Sequence, residues 1–129
     1  MINIFSRYKF IFYLSNFVLI FLYLFPGSIL GHFFYNDVKK QPQITPDFII
    51  STNHLYAFLV FSAVSFLTFK KLTQFKKLTV YLVFLSIILE ITHLFIPERG
   101  FEFSDLFGNL IGVVIIVIIS FFLKKNEKY

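Results

Sequence analysis

The chain has 129 residues, of which 57% are hydrophobic and 15% are charged, with a formal net charge of +5 at pH 7. Soluble domains are about 45–50% apolar and about 25% charged, so this composition excludes an ordinary soluble protein and favours a single integral membrane domain. The chain has no Cys, which excludes disulfides and thiol chemistry. Its positive charges lie in short segments between apolar runs, so they do not predict nucleic-acid binding.

Four apolar runs predict four transmembrane helices, at roughly residues 10–30, 48–69, 78–96 and 106–123. A helix needs about 20 residues to cross about 30 Å of hydrocarbon. Segments such as VVIIVIIS lack the alternation of a membrane β-barrel strand. The sequence therefore predicts an all-α protein, an antiparallel bundle of four transmembrane helices that forms one domain over residues 1–129.

The first apolar run has a second interpretation, as a cleaved signal peptide that begins with Arg7 and Lys9. Its apolar stretch exceeds the usual length of about 7–15 residues, and no clear cleavage site follows, so an uncleaved helix is favoured. Pro26 and Gly27 are expected to loosen or kink the far end of this helix. Before the second run, Thr45-Pro46-Asp47 is typical of a helix start.

The basic residues are distributed unevenly between the two sides of the predicted bundle. One side carries Arg7, Lys9, Lys70, Lys71, Lys76, Lys77, Lys124, Lys125 and Lys128, and the other carries Lys39, Lys40 and Arg99. Lys and Arg are enriched on the cytoplasmic side of membrane proteins. Both termini are therefore predicted to be cytoplasmic, and the turn between the last two helices is predicted to lie at the outer face.

Each predicted helix carries one stripe of polar or small residues at helical spacing. Such residues hold helices together in lipid, so we expect the stripes to face the interior of the bundle. The four stripes are Asn16, Tyr23 and Gly27; His54, Phe58, Ser62 and Ser65; Thr79, Ser86, Glu90 and His93; and Asp105, Gly108, Asn109 and Gly112, with Ser120 further along.

The densest group of ionisable residues lies in the segment LEITHLFIPERGFEFSDLFGNLIG, residues 89–112. A carboxylate such as Glu90 is costly in hydrocarbon unless it is paired and faces inward. Arg99 is its expected partner because a guanidinium suits one or two carboxylates. Asp105 is a second candidate acceptor, and His93 lies one helical turn from Glu90.

These residues also have structural interpretations, which the sequence leaves open. The expected pair of Glu90 and Arg99 would serve either as a structural ion pair or as a contact to a ligand. Asp105 is suited to cap its helix, and Asn109 is suited to helix packing. His54 is suited to a position at the membrane interface, which the sequence favours over a ligand contact.

Metal binding and hydrolysis have weaker support. Glu90-x-x-His93 places two types of metal ligand on one helix face, and His54 and Asp105 are candidates to complete a site. However, no HExxH motif is present. Use of Glu90 and Asp105 as a hydrolytic pair is also weak, because the chain lacks a nucleophile elbow and a phosphate-binding glycine loop. The sequence therefore predicts neither a metal ion nor another cofactor.

The ionisable segment resembles the signature of VanZ-like membrane proteins. The resemblance rests on Glu90-x-x-His93-x-x-x-Pro97-x-Arg99 followed by Asp105-x-x-x-Asn109-x-x-Gly112. His93 stands where the family usually has Gln. On the second helix, His54 and Phe58 match a weaker part of the pattern, whereas the Asp-Lys pair of the family is missing. The likeness in layout spans residues 50–115 and is specific over residues 90–112.

The resemblance implies a small multi-helix protein of the bacterial inner membrane. The family is named for a protein linked to teicoplanin resistance, which directs attention to the outer face of the membrane and its lipids. We therefore expect an outward-facing polar pocket that binds a lipid headgroup, a lipid-linked wall precursor or an amphiphilic drug. The predicted binding residues are Glu90, His93, Arg99, Asp105, Asn109 and His54.

Two other classes of function remain open at this point. One is a membrane enzyme that acts on a lipid-linked substrate with Glu90 or Asp105 as general base. The other is a structural or partner-binding membrane protein, in which the ionisable cluster only stabilises the fold. The sequence does not indicate the oligomeric state.

Overall fold

The computed structural model describes residues 4–47 and 49–127, with side chains over 8–47 and 49–125. These residues form five helices and no strands: α1 (Ile4–Leu24), α2 (Ile29–Tyr35), α3 (Thr52–Thr68), α4 (Leu72–Thr92) and α5 (Phe103–Glu127). The all-helical prediction is confirmed. Phe48, the predicted start of the second span, and Lys128 of the basic tail lie outside the described residues.

The four long helices pack with alternating directions. The Tyr23 ring lies against the rings of His54 and Phe58, whereas Phe12, earlier in α1, packs on Phe61 and Phe69. This order makes α1 and α3 antiparallel.

Contacts to the last two helices complete the arrangement. Ser51 donates its backbone N–H to the Ser104 carbonyl at 3.1 Å, and Lys124 lies over the Phe66 ring, so α3 and α5 run in the same direction. Asn109 of α5 donates to the Ser86 carbonyl of α4. With Phe75 of α4 near Phe121 of α5, these contacts make α4 antiparallel to α5.

The first apolar run is interrupted where the sequence predicts a kink. α1 ends at Leu24, and the chain bends by 78° before α2. Gly27 has φ +82°, a left-handed conformation that glycine adopts without steric cost. Ser28 then caps α2, since its hydroxyl accepts the Gly31 N–H at 3.0 Å. The predicted first span, residues 10–30, therefore includes both the end of α1 and the start of α2.

The third helix begins later than predicted, at Thr52 rather than near residue 48. Thr45 does not act as its cap. Asp47, five residues before the helix, nevertheless stabilises its first turn, because Asp47 Oδ1 accepts hydrogen bonds from the Thr52 N–H at 2.9 Å and the Thr52 hydroxyl at 3.0 Å. The hydrogen bond from the Thr52 N–H is the main reason that the pKa of Asp47 lies below its usual value.

The predicted polar stripes face the interior. Fully or nearly buried polar residues occur on every helix from α3 to α5: Thr52, Ser62, Ser65, Ser86, Glu90, Asn109 and Ser120. They surround an apolar core that includes Phe58, Leu82 and Val113, each 0% exposed. Tyr23 and Gly27 of the α1 run are also buried, whereas most large apolar side chains of α1 and α5 point outward.

Fewer helices are long and apolar enough to span a membrane than the sequence predicts. Among the described residues, one helix, Phe103–Lys125, is long and apolar enough to cross a membrane, and a second span results if Tyr8–Leu24 and Ile29–Tyr35 count as one bent span. α3 is apolar but has 17 residues. α4 carries Lys76, Lys77 and Glu90 along its 21 residues. A four-span membrane bundle is therefore not confirmed.

The closest helix packing is between α3 and α5, at two glycines four residues apart. A Cβ atom on Gly108 would lie 2.5 Å from the Ser51 carbonyl oxygen. A Cβ atom on Gly112 would lie 2.7 Å from the Leu55 carbonyl oxygen and 2.9 Å from the Leu59 nitrogen. All three neighbouring atoms belong to the backbone of the α3 region, which cannot move aside as a side chain would. The pair therefore acts as a small-xxx-small contact.

We expect Gly112→Ala to destabilise the folded protein by about 1–3 kcal/mol, because α3 must move away from α5 to admit the methyl group. Thermal unfolding in detergent measures the effect. Gly100→Ala is the matched control, since a Cβ there would meet no atom within 4 Å. Equal melting temperatures for the two variants would contradict the close contact.

Candidate functional site

Glu90, near the C-terminal end of α4, is the most deeply buried ionisable residue of the ionisable segment, with 0% exposure. Its Oε1 accepts the backbone N–H of Glu102 at 3.3 Å. Its Oε2 has no hydrogen-bond partner among the described residues, but it lies 3.4 Å from His93 Nδ1 and 3.8 Å from His54 Nε2. The prediction that Glu90 faces inward is confirmed, and its nearest charged or chargeable neighbours are two histidines.

His93 ends α4 and is 1% exposed. Its ring stacks on the Tyr23 ring, with centroids 5.5 Å apart and planes inclined by 16°. Its Nε2 lies 3.0 Å from the Tyr23 carbonyl oxygen. A carbonyl oxygen can only accept, so Nε2 carries a hydrogen atom and Nδ1 is left to face Glu90.

His54, in the first turns of α3, is the second histidine beside Glu90. Its side chain is 17% exposed. Its Nδ1 lies 2.8 Å from the Ser51 hydroxyl and 3.5 Å from Asp105 Oδ1. Asp105 occupies the first turn of α5, where a carboxylate also interacts favourably with the helix dipole. His54 is thus held between the starts of two parallel helices.

Asn109 joins three helices through its amide group. Its Oδ1 accepts the Tyr23 hydroxyl at 2.6 Å, and its Nδ2 donates to the Ser86 carbonyl at 3.0 Å. Asn109 is 0% exposed. Tyr23 therefore connects Asn109 to both histidines. The sequence placed Tyr23 in an inward stripe but did not identify it as a site residue, because its ring contacts depend on how α1 packs.

Arg99 does not form the expected ion pair. Within the described side chains, no ion pair joins it to Glu90 or Asp105. It donates instead to two main-chain carbonyls at the end of α1, from Nη2 to Leu22 at 2.8 Å and from Nε to Phe25 at 3.2 Å. Carbonyls at a helix C-terminus lack helical partners and carry partial negative charge, so they compete effectively for a guanidinium.

The guanidinium of Arg99 is partly buried and lies near two carboxylates. Burial lowers the pKa of its guanidinium, and the nearby groups of Tyr23, Glu90 and Asp105 oppose that shift. The side chain remains cationic because its ordinary pKa is far above neutrality. Both acids therefore influence Arg99 through space without touching it.

A cavity of about 720 Å³ lies between α1, α3, α2 and the segment 41–44. Its long walls are apolar and include Leu14, Val18, Val60 and Val64. The polar groups of its lining lie mainly toward one end, at Tyr23, Gln41, Asn53, His54 and Arg99.

Two of the six predicted binding residues line this cavity and four do not. His54 and Arg99 line it, whereas Glu90, His93 and Asn109 lie behind, in the closed interior. Asp105 is partly buried and contacts His54 from the α5 side. A ligand in the cavity would meet the first two residues directly and the others through them, and the binding role of all six stays a prediction.

We expect Arg99→Ala to lower the free energy of unfolding by about 1.5–3 kcal/mol, because hydrogen bonds from a charged donor to the end of α1 are lost. Thermal unfolding in detergent measures this change. Lys39→Ala removes an exposed cation of the same face and serves as control. A loss no larger than that of the control would mean that the α1 carbonyls do not depend on Arg99.

Comparisons with known proteins place the chain in a family. A family model described as VanZ/LLP1 matches residues 4–124, nearly the whole chain. Neither the comparison with curated proteins nor that with solved structures gave a match. The family match includes every helix and all six predicted binding residues, and the chain therefore belongs to the VanZ-like family.

Proposed function

We propose that this VanZ-like protein is a multi-pass protein of the bacterial cytoplasmic membrane that binds an amphiphile at its outer face. The apolar chain of the ligand occupies the cavity between α1 and α3, and its headgroup meets Arg99 and His54. The ligand classes are a membrane lipid, a lipid-linked wall precursor or an amphiphilic drug. A role in teicoplanin resistance is the part of this proposal that rests on the family likeness alone.

The distribution of polar and apolar side chains supports insertion in lipid. The interior contains Glu90, His93 and Asn109, whereas large apolar side chains point away from it. On α5 alone the exposed ones are Phe103, Phe107, Ile111, Val114, Ile115, Ile118, Ile119, Phe121, Phe122 and Leu123. An apolar surface of this extent is unfavourable in water and suits lipid.

The charge distribution supports the orientation. Lys70, Lys71, Lys76 and Lys77 lie around the α3–α4 connection, at the end of the bundle opposite the ionisable cluster, and α5 ends at the same side with Lys124 and Lys125. The packing directions carry the N-terminus of α1 to that side as well. Lys and Arg near membrane-spanning ends favour the cytoplasm, so the cavity mouth at Arg99 faces outward.

Reporter fusions test this orientation. A phosphatase that is active only outside the cytoplasm should be inactive when fused after residue 129 and active when inserted within residues 36–44. A fluorescent protein that folds in the cytoplasm should give the inverse pattern. Phosphatase activity at the C-terminus would overturn the proposed topology.

The shape and polarity of the cavity are the single observation that carries ligand binding. Its apolar walls run along α1 and α3 toward the basic side, and its polar lining gathers near Arg99 and His54. Pockets for small molecules are lined in this way, with a few placed polar groups that fix the orientation of an apolar ligand. At about 720 Å³, the cavity has room for a lipid chain.

Native mass spectrometry of the detergent-purified protein tests retention of a co-purifying lipid. Val60→Trp should reduce the lipid-bound fraction at least threefold, because the indole narrows the cavity wall. Val80→Trp is the matched control, since Val60 and Val80 are 59% and 61% exposed and only Val60 lines the cavity. Equal lipid retention by the two variants would contradict the proposal.

A further inference from the structure

Three potential metal ligands converge in the interior behind the cavity. They are His54 Nε2, Glu90 Oε2 and His93 Nδ1, and all three atoms lie within 4.8 Å of one another. The carboxylate oxygen is 3.4 Å from His93 Nδ1 and 3.8 Å from His54 Nε2. Ligands at about 2.0–2.1 Å from a tetrahedral zinc ion are about 3.3 Å apart. The two distances to Glu90 Oε2 are close to that spacing, and the two histidine nitrogens, which lie within 4.8 Å of each other, would have to approach to reach it.

The hydrogen bonds around the triad leave lone pairs, not hydrogen atoms, at its centre. His93 Nε2 donates to the Tyr23 carbonyl at 3.0 Å, so a neutral His93 presents a bare Nδ1. Within the part of the chain that the structure describes, Glu90 Oε2 has no hydrogen-bond partner, and Glu90 has no exposed surface. Two lone-pair atoms 3.4 Å apart repel one another unless a proton or a metal cation lies between them, and with a neutral His93 a metal cation fills that role.

His54 of α3 can be oriented in the same way. Its Nδ1 lies 2.8 Å from the Ser51 hydroxyl and 3.5 Å from Asp105 Oδ1. With its hydrogen atom on Nδ1, the ring directs the Nε2 lone pair toward Glu90. Histidines that bind metals characteristically donate their second ring N–H to an outer partner such as a carboxylate or a backbone carbonyl. His93 has the Tyr23 carbonyl as this partner, and His54 has the Ser51 hydroxyl, with the Asp105 carboxylate close by.

We infer that His54, Glu90 and His93 form a binding site for a divalent transition-metal ion, with Zn²⁺ as the representative ion. Two imidazoles and one carboxylate are a ligand set that binds zinc and leaves a coordination position open. The Ser51 hydroxyl, with Asp105 beside it, and the Tyr23 carbonyl would orient the two histidines. This inference does not depend on the proposed binding of an amphiphile.

Metal analysis of the full chain tests the inference directly. The protein is purified in detergent with an affinity tag that contains no histidine, stripped with a chelator, and titrated with Zn²⁺ and separately with Co²⁺. Wild type should bind about one equivalent of either ion, and Co²⁺ should give the visible absorption of a low-symmetry nitrogen and oxygen site. A folded wild type that binds neither ion at micromolar concentration would overturn the inference.

Single substitutions identify the ligands. His54→Ala and Glu90→Gln should each weaken Zn²⁺ binding by more than about 100-fold, because loss of an outer partner alone costs about 10–100-fold. Asp105→Asn should fall within that smaller range. His32→Ala is the matched control, since His32 is exposed on α2 and should leave binding unchanged.

Two further results distinguish Zn²⁺ binding by the triad from Zn²⁺ binding elsewhere on the protein. Zn²⁺ should raise the melting temperature of wild type and of His32→Ala but not that of His54→Ala, because only a ligand that prefers the folded state stabilises it. Glu90→Gln keeps the shape of the side chain, so circular dichroism can verify its fold before titration. Unaltered Zn²⁺ affinity in folded His54→Ala would assign the ion to other residues and overturn the inference.

Discussion

The complete burial of one carboxylate is the constraint around which the bundle is organised. Glu90 has no exposed surface and lies among apolar helices, where an isolated charge would cost several kcal/mol. Its Oε1 accepts the Glu102 N–H, while two imidazole nitrogens lie beside its Oε2 in the described structure. The arrangement of α3, α4 and the turn before α5 follows from the need to surround this group.

Close helix packing is what allows the carboxylate to be surrounded. His54 belongs to α3 and Glu90 to α4. Both helices pack on α5 at this end of the bundle, α3 at Gly108 and α4 at Asn109. Gly108 lies beside Ser51 and the Cβ atom of His54. Because position 108 has no side chain, His54 can lie close to α5 in the interior of the bundle. The sequence predicts a helix-packing role for Gly108, and the same glycine therefore also determines the geometry of the ionisable cluster.

Helical periodicity was enough to predict which polar residues face inward, since Ser62, Ser86, Glu90 and Asn109 all occupy the buried faces of their helices. It could not predict the partner of Arg99. The choice between a carboxylate and the carbonyls of Leu22 and Phe25 depends on where α1 ends relative to the α4–α5 turn. Neither the spacing of charges nor their number contains that tertiary information. The same limit explains why Tyr23 was not identified as the residue that connects Asn109 to the histidines.

His54 connects the two parts of the molecule for which roles are proposed. Its ring contributes to the lining of the cavity, and its Nε2 faces Glu90 in the triad. A cation bound by the triad would therefore add positive charge behind the polar end of the cavity, close to the guanidinium of Arg99. Two cationic centres at the polar end of an apolar cavity favour an anionic headgroup over a neutral or cationic one. Without the cation, the buried carboxylate and Asp105 would offset the charge of Arg99, and this preference would be weaker.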